Sequence, residues 1–378
     1  MTEISAKQWN FITKENLTPK EAVFFLENGM QVRTFRDIII EICGTADVEK
    51  QLLEGLCEIS QIEGKNSLKD SVRKKISNWM NGKNIPSDRN DVFAICFALN
   101  LNLEQAEKML VRLTEQGIHY RNRREVVYAY AYKYQIGYEN AKKILETYFG
   151  DHKNSENVDY ESNVREHEKS LTGKKEYSEP VTCQLKFEFK QIAGQEDLFS
   201  FLLAHKKKFG EKHNTAYQYF EKMVSLLTCQ EVEDESPYSL EYIAENYLRL
   251  KMPYEKHTNK YTKVQKVIKK YWPGASMIKA MKARTEDVNR KTLLLLYLVT
   301  GGIMEEEYAE MDEDYMDATE LLECHCSRMN QMLMECGMST IDPRNIFDYL
   351  ILYCMRPEQH LFMSERMELL IQEIFREL

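Results

Sequence analysis

Apolar residues recur along most of this chain at the three-to-four-residue spacing of an amphipathic helix. Val72, Ile76, Trp79 and Met80 stand at i, i+4, i+7 and i+8, one apolar face on a helix expected to end near Asn81. Gly82 suits the left-handed residue that closes a helix, and Pro86 cannot continue one. A further apolar helix is expected from Ser87 onward, through residues 92–99. Tyr128, Tyr130, Tyr132 and Tyr134 alternate as in a strand, but Ala129, Ala131 and the helical setting of residues 125–148 favour a helix. Tyr128/Tyr132 and Tyr130/Tyr134 then form i, i+4 pairs on different faces.

Residues 150–180 break the pattern, with almost no apolar positions and no period, and read as a flexible linker. On either side the chain repeats itself in order. In the first arm Ile76–Met80 leads through Ile85 and Pro86 to residues 92–99, then to Arg121-Asn122-Arg123-Arg124-Glu125 and the tyrosine helix. In the second arm residues 277–281 lead through Val288-Asn289-Arg290 to residues 293–299, then to Arg344-Asn345-Ile346-Phe347-Asp348 and residues 351–355. Ile76 and Arg121 are 45 positions apart and Ile278 and Arg344 are 66 apart, an excess of 21 that an acidic insertion at 303–323 fills. The expected fold is therefore all-α. Two related multi-helix arms, residues 1–149 and 181–378, flank the linker at 150–180.

With 15 Gly and 8 Pro in 378 residues, 43% apolar content and a mean hydropathy of −0.53, the chain reads as a helical protein of two or three domains. The nine cysteines lie mostly inside apolar runs, and residues 1–14 lack the apolar stretch of a secretory leader, so reduced thiols in the cytoplasm are expected. No apolar run is long enough to cross a bilayer. The net charge of −9 is segregated. Residues 65–89 hold seven Lys/Arg against Asp70 and Asp88, a local +5, and residues 251–291 hold twelve against three acids, a local +9. Residues 303–323 hold ten Asp/Glu and no Lys or Arg.

The stretch Ile76-Ser77-Asn78-Trp79-Met80-Asn81-Gly82-Lys83-Asn84-Ile85-Pro86 resembles the second half of the XRE (lambda-repressor-like) helix-turn-helix, over about residues 71–102. Members of that family commonly read I-S-x-W-x-x-G-K-x-x-P here. The short helix and tight turn that precede the recognition helix in the family are represented by Lys65-Asn66-Ser67-Leu68-Lys69-Asp70, which lacks the usual Gly. Leu68 continues the period of Val72 and Ile76, so one longer helix is the alternative to a turn at this place. The resemblance implies DNA as partner. Arg73, Lys74, Ser77 and Asn78 would face the groove, with Lys75, Lys83, Arg121, Arg123 and Arg124 on phosphates. Asn122 and Glu125 also have a plain structural use, as a helix cap and the far half of a capping box. The tyrosines of residues 128–138 fit a helical core better than base stacking.

Chemistry beyond this is thin. Cys324-His325-Cys326 with Cys336 has the wrong spacing for zinc, because C-x-C on a helix turns the sulfurs about 200° apart. Asp312, Asp314 and Asp317 match a calcium loop only loosely, since its glycine is missing. No phosphate-binding glycine loop, H-E-x-x-H or G-x-S-x-G is present, so neither an enzymatic role nor a cofactor is expected. Two readings follow: a DNA-binding regulator, or a non-enzymatic scaffold. In the second, the helix-turn-helix copies serve only as packed helical modules, and the basic block at 251–291 meets the acidic run at 303–323, in the same chain or in a protein partner. In a hybrid of the two, that run masks a nucleic-acid surface until a partner displaces it.

Overall fold

The computed structural model describes residues 3–13, 17–44, 47–65, 69–150, 181–209, 214–228, 239–254, 260–302, 318–356 and 361–376. They form nineteen α-helices, and the sole extended pairing among them is an isolated antiparallel bridge between Gln116 and Met338. The all-helical expectation holds. Among the described residues no helix is long and apolar enough to cross a membrane.

Two compact units partition the chain, and not at the expected place. A continuous unit comprises Thr34–Glu211 with Gly337–Ser339, and a composite unit comprises Met1–Arg33, Lys212–Cys336 and Thr340–Leu378. The first 33 residues thus leave the first arm, while residues 181–211 join it. Most of the expected linker, and the acidic run as far as residue 317, lie outside the described residues.

Helices α1 (Glu3–Ile12) and α2 (Pro19–Asn28) belong to the composite unit. The continuous unit follows with α3 (Phe35–Cys43), α4 (Val48–Ile62), α5 (Lys69–Met80), α6 (Arg89–Ala98), α7 (Leu103–Thr114), α8 (Arg123–Tyr134), α9 (Tyr138–Gly150), α10 (Val181–Lys190) and α11 (Gln195–Ala204). Capping boxes set the starts of α3 (Thr34 with Asp37) and α7 (Asn102 with Gln105), each satisfying amides that a helix end leaves open. Helices α4 and α6 approach most closely at Gly55, where a Cβ would stand 2.6 Å from the Ala98 Cα; only a residue without one fits. Leu185 and Phe189 of α10 are buried in the same core as the tyrosines of α8, which is why residues 181–211 belong here.

The composite unit continues with α12 (Asn214–Thr228) and α13 (Leu240–Ile243), the latter running into a π turn at Ala244–Leu248. Then come α14 (Lys263–Lys269), α15 (Ala275–Lys282), α16 (Arg290–Val299), α17 (Ala318–Glu335), α18 (Ile346–Met355) and α19 (Met363–Ile374). Leucines 293–296 of α16 and every residue of α18 are buried. Phenol hydroxyls tie the N-terminal segment to α18: Tyr349 donates to the Ala22 carbonyl at 3.0 Å and Tyr353 to that of Leu17 at 3.1 Å. Arg33 pairs with Asp342 at 3.0 Å, and Arg344 donates to the Gln31 carbonyl at 3.1 Å.

Each unit contains the same local wiring. After α5, Gly82 donates to the Trp79 carbonyl while Lys83 and Asn84 both reach Asn78. After α15, Arg284 donates to Met281 while Thr285 and Glu286 both reach Ala280. Arg89, opening α6, grips Glu125 of α8 with two nitrogens (3.0 and 2.6 Å) and also holds the Gly117 carbonyl. Arg290, opening α16, grips Asp348 of α18 with two nitrogens (2.6 and 2.8 Å) and also holds the Thr340 carbonyl. Each carboxylate accepts a further backbone N–H from six residues upstream, His119 at 2.7 Å and Asp342 at 2.8 Å. Asn122 and Asn345 cap the two helices by accepting two amides each. The expected capping box is therefore half right: Asn122 caps, but Glu125 turns to Arg89 and the His119 amide.

Candidate nucleic-acid interface

The helix with the XRE-like sequence is α5, and its apolar period determines how it lies. Ile76 and Trp79 are buried, with Trp79 edge-on to Phe35 of α3 at 5.8 Å, while Val72 and Met80 are half-buried. The preceding helix ends at Ile62, followed by Gly64 at φ +69° and an N–H of Lys65 on the Ser60 carbonyl, so α4 and α5 are separate elements. Leu68, on which the longer-helix alternative turned, lies outside the described residues. Gly82 adopts φ +67°, the left-handed stop expected of it, and Pro86 is buried.

Packing of that apolar stripe leaves the polar residues outward. Arg73, Lys74, Lys75, Ser77 and Lys83 are exposed, and Asn78 is half-buried with its carbonyl closing the helix. Their charges are not equally available. Arg73 pairs with Asp70 at 3.0 Å, and Lys75 pairs with Asp91 of α6 at 2.7 Å while covering the Trp79 ring. Lys74 and Lys83 have no partner among the described residues. Ser77 accepts from the Asn81 side chain at 3.1 Å. Exposed pairs such as Arg73–Asp70 contribute well under 1 kcal/mol, so a phosphate can displace them.

The second proposed cluster does not stay together. Arg121 is 1% exposed and is removed from the candidate surface; its place in the motif is structural. Arg123 is half-buried, donating to the Lys206 carbonyl at 3.3 Å with its guanidinium over Phe209. Of the three only Arg124 is exposed, and its guanidinium lies over the buried Tyr128 ring and donates to that hydroxyl at 2.8 Å. Tyr128, Tyr130 and Tyr132 are buried, Tyr132 donating to the Phe93 carbonyl at 3.1 Å. They are core residues, as the core reading expected.

The basic block at 251–291 likewise divides. Arg290 and Lys291 are buried; the Lys291 ammonium donates to the carbonyls of Val267, Ile268 and Lys270, closing the C-terminal end of α14. On α15, Lys279 is paired with Glu241, and Lys282 with Glu221 at 2.6 Å. Lys263, Lys266 and Lys270 remain exposed. Neither their availability nor the three-carbonyl seat of Lys291 was legible as such, because a count of charges does not say which ones point inward.

Among the described residues no three His, Cys, Asp or Glu side chains converge as metal ligands. His325 is buried, with its Nδ1 2.9 Å from the Tyr297 hydroxyl, and desolvation, then the positive charge of Arg328, hold its pKa down at about 4. Burial pushes the Cys326 thiol up to about 12 and raises that of Cys336. Thiols held this high stay protonated near neutral pH. Asp312, Asp314 and Asp317 lie outside the described residues.

Searches against protein-family models, curated proteins and solved structures found no match to this chain.

Proposed function

We propose that this protein is a non-enzymatic, cytoplasmic regulator that binds duplex DNA through the outward face of α5. The observation that carries the reading is a division of labour on one helix. Ile76 and Trp79 anchor it to the core, while Arg73, Lys74 and Ser77 are exposed, as is Lys83 in the turn that follows. A helix held from behind with cations and short polar side chains in front has what a major groove requires: charge for phosphates and donors for base edges. We also propose that the two units are versions of one helical module. The paired arginine–carboxylate grips and the matching helix ends support this; on α5, Arg73 and Lys75 meet Asp70 and Asp91 while Lys74 has no acidic partner among the described residues. Its α15 counterpart has Lys279 and Lys282 occupied by Glu241 and Glu221.

The test is a gel shift at low salt with random duplex DNA, comparing wild type with Arg73/Lys74/Lys75→Ala. Retarded wild type and unretarded variant are expected. Equal retardation of the two would discard the proposed helix face.

The rival reading is a scaffold whose basic 251–291 and acidic 303–323 segments bind a protein partner or a second copy. The ion pairs Lys75–Asp91 and Lys282–Glu221 favour it, since they divert cations to the fold. Under that reading neither protein shifts duplex.

A further inference from the structure

We propose that the composite unit carries a separate site for single-stranded nucleic acid, formed by the outward face of α14 and the turn that follows it. Helix α14 contains no acid: its sequence is KVQKVIK. Gln265 and Ile268 turn inward, the Gln265 amide donating to the Ile374 carbonyl at 2.8 Å. Lys269 also turns inward, to the Pro253 carbonyl and the Tyr261 hydroxyl. That leaves Lys263, Lys266 and Lys270 together on one exposed face, at the i, i+3, i+7 spacing of a single helix side. Lys263 and Lys266 have no partner among the described residues, and Lys270 meets only the ring of Tyr271, at 4.8 Å.

Tyr271 is the residue that needs explaining. It is 61% exposed and sits at φ +62°, a conformation that is unfavourable for a bulky side chain and natural for glycine. Among the described residues its side chain meets only the Lys270 ammonium. Yet the turn is held from both sides. The buried Lys291 ammonium grips the Lys270 carbonyl at 2.6 Å, and the Trp272 indole donates to the Leu248 carbonyl at 3.0 Å while its ring meets Phe347 edge-on. The same neighbourhood presents a second exposed ring, Tyr254, 68% exposed with the Arg249 guanidinium over its face. Tyr254 is next in the chain to Pro253, which Lys269 holds.

Tyr271, an exposed ring on an anchored turn, stands beside lysines that have no acidic partner among the described residues, while Tyr254 is held by Arg249 over its face and by Glu245 on its hydroxyl. This suits an unpaired strand, whose bases have open faces and whose backbone carries the charge. A duplex hides its base faces. An acidic peptide or an anionic bilayer would use the lysines but has no use for a fixed ring. The site lies in the other unit from α5, so it stands or falls independently of the duplex reading.

Fluorescence anisotropy of labelled oligo-dT with the full chain tests this. Three variants accompany wild type: Tyr271→Gly, Lys263/Lys266/Lys270→Gln, and Arg73/Lys74/Lys83→Ala. Tyr271→Gly relieves the backbone, so it should fold at least as stably as wild type while losing roughly five- to ten-fold in oligo-dT affinity. The lysine variant should bind more weakly still and flatten the log–log salt dependence by about 2, at about 0.7 for each phosphate no longer neutralised. The α5 variant should leave oligo-dT binding within about two-fold of wild type. Affinity of Tyr271→Gly within about two-fold of wild type would overturn the proposal. So would displacement of oligo-dT by polyglutamate at equal charge concentration, because that identifies a surface that reads charge alone.

Discussion

Arg89–Glu125 and Arg290–Asp348 are nearly the same device in different surroundings. Both arginines open a helix, both grip a carboxylate at the third position of another helix, and both carboxylates also take an amide from six residues upstream. In the continuous unit the partners keep 27% and 9% side-chain exposure; in the composite unit they keep 2% and 1%. Equal wiring therefore does not mean equal energetics. A grip in contact with water can lose one member and let the other rehydrate. One that is fully enclosed strands a bare charge. The surfaces differ in degree: on α5 Arg73 and Lys75 meet acids while Lys74, and Lys83 just after it, have no acidic partner among the described residues, whereas on α15 Lys279 and Lys282 are both matched to acids.

The sharpest way to break this comparison is to remove one carboxylate at a time. Asp348→Ala should destabilise the composite unit by about 3–5 kcal/mol, the range for an uncompensated buried charge. Glu125→Ala should cost the continuous unit about 1–3 kcal/mol, because Arg89 retains water and the carbonyls of Gln116 and Gly117. Urea unfolding of both variants measures the difference; equal losses would show that burial does not separate the two grips.

Acid should separate the units next. His325 in the composite unit has its pKa depressed from 6.5 to about 4 by desolvation and then by Arg328, so the unfolded chain takes up the proton first. Stability linked to neutral His325 is fully present above about pH 6.5 and is lost as pH falls toward about 4, a total of about 3 kcal/mol. Across that window the wild type should lose stability relative to His325→Phe as pH falls, read as a pH-dependent change in the difference between their thermal midpoints. A constant gap between them would contradict the assignment. An effect of the same size as that of Glu125→Ala concerns the continuous unit alone. Gly55→Ala forces α4 away from Ala98 and should cost about 1–3 kcal/mol by overpacking, read as a lowered midpoint in urea.

Local patterns were legible in the sequence where their cause is local. The apolar period of Val72, Ile76 and Trp79 predicted which face of α5 is buried, and Gly82 marked its end. Alanines between the tyrosines identified α8 as a helix against its strand-like alternation. What failed to show was long-range. Nothing in residues 1–33 announces that their carbonyls receive Tyr349 and Tyr353, because a hydrogen bond to a carbonyl uses no particular side chain on the accepting side. Arg121 looked like a surface cation because it adjoins Arg123 and Arg124, yet neighbours in sequence at a helix start point in different directions, and it is enclosed. The late motif repeats in the sequence, but its purpose is long-range: Arg89 and Arg290 grip its carboxylates from 36 and 58 positions upstream.

Duplex DNA binding by α5 is the central claim, and the salt dependence of affinity tests it most directly. Dissociation constants for one duplex should be measured from low to physiological salt with wild type and Arg73/Lys74/Lys83→Ala. With Lys83 on a phosphate the log–log slope of the variant should be shallower by about 0.9, rising to about 2.7 if the groove-facing Arg73 and Lys74 neutralise phosphates as well. Parallel lines for the two proteins would contradict the account, whatever their absolute affinities.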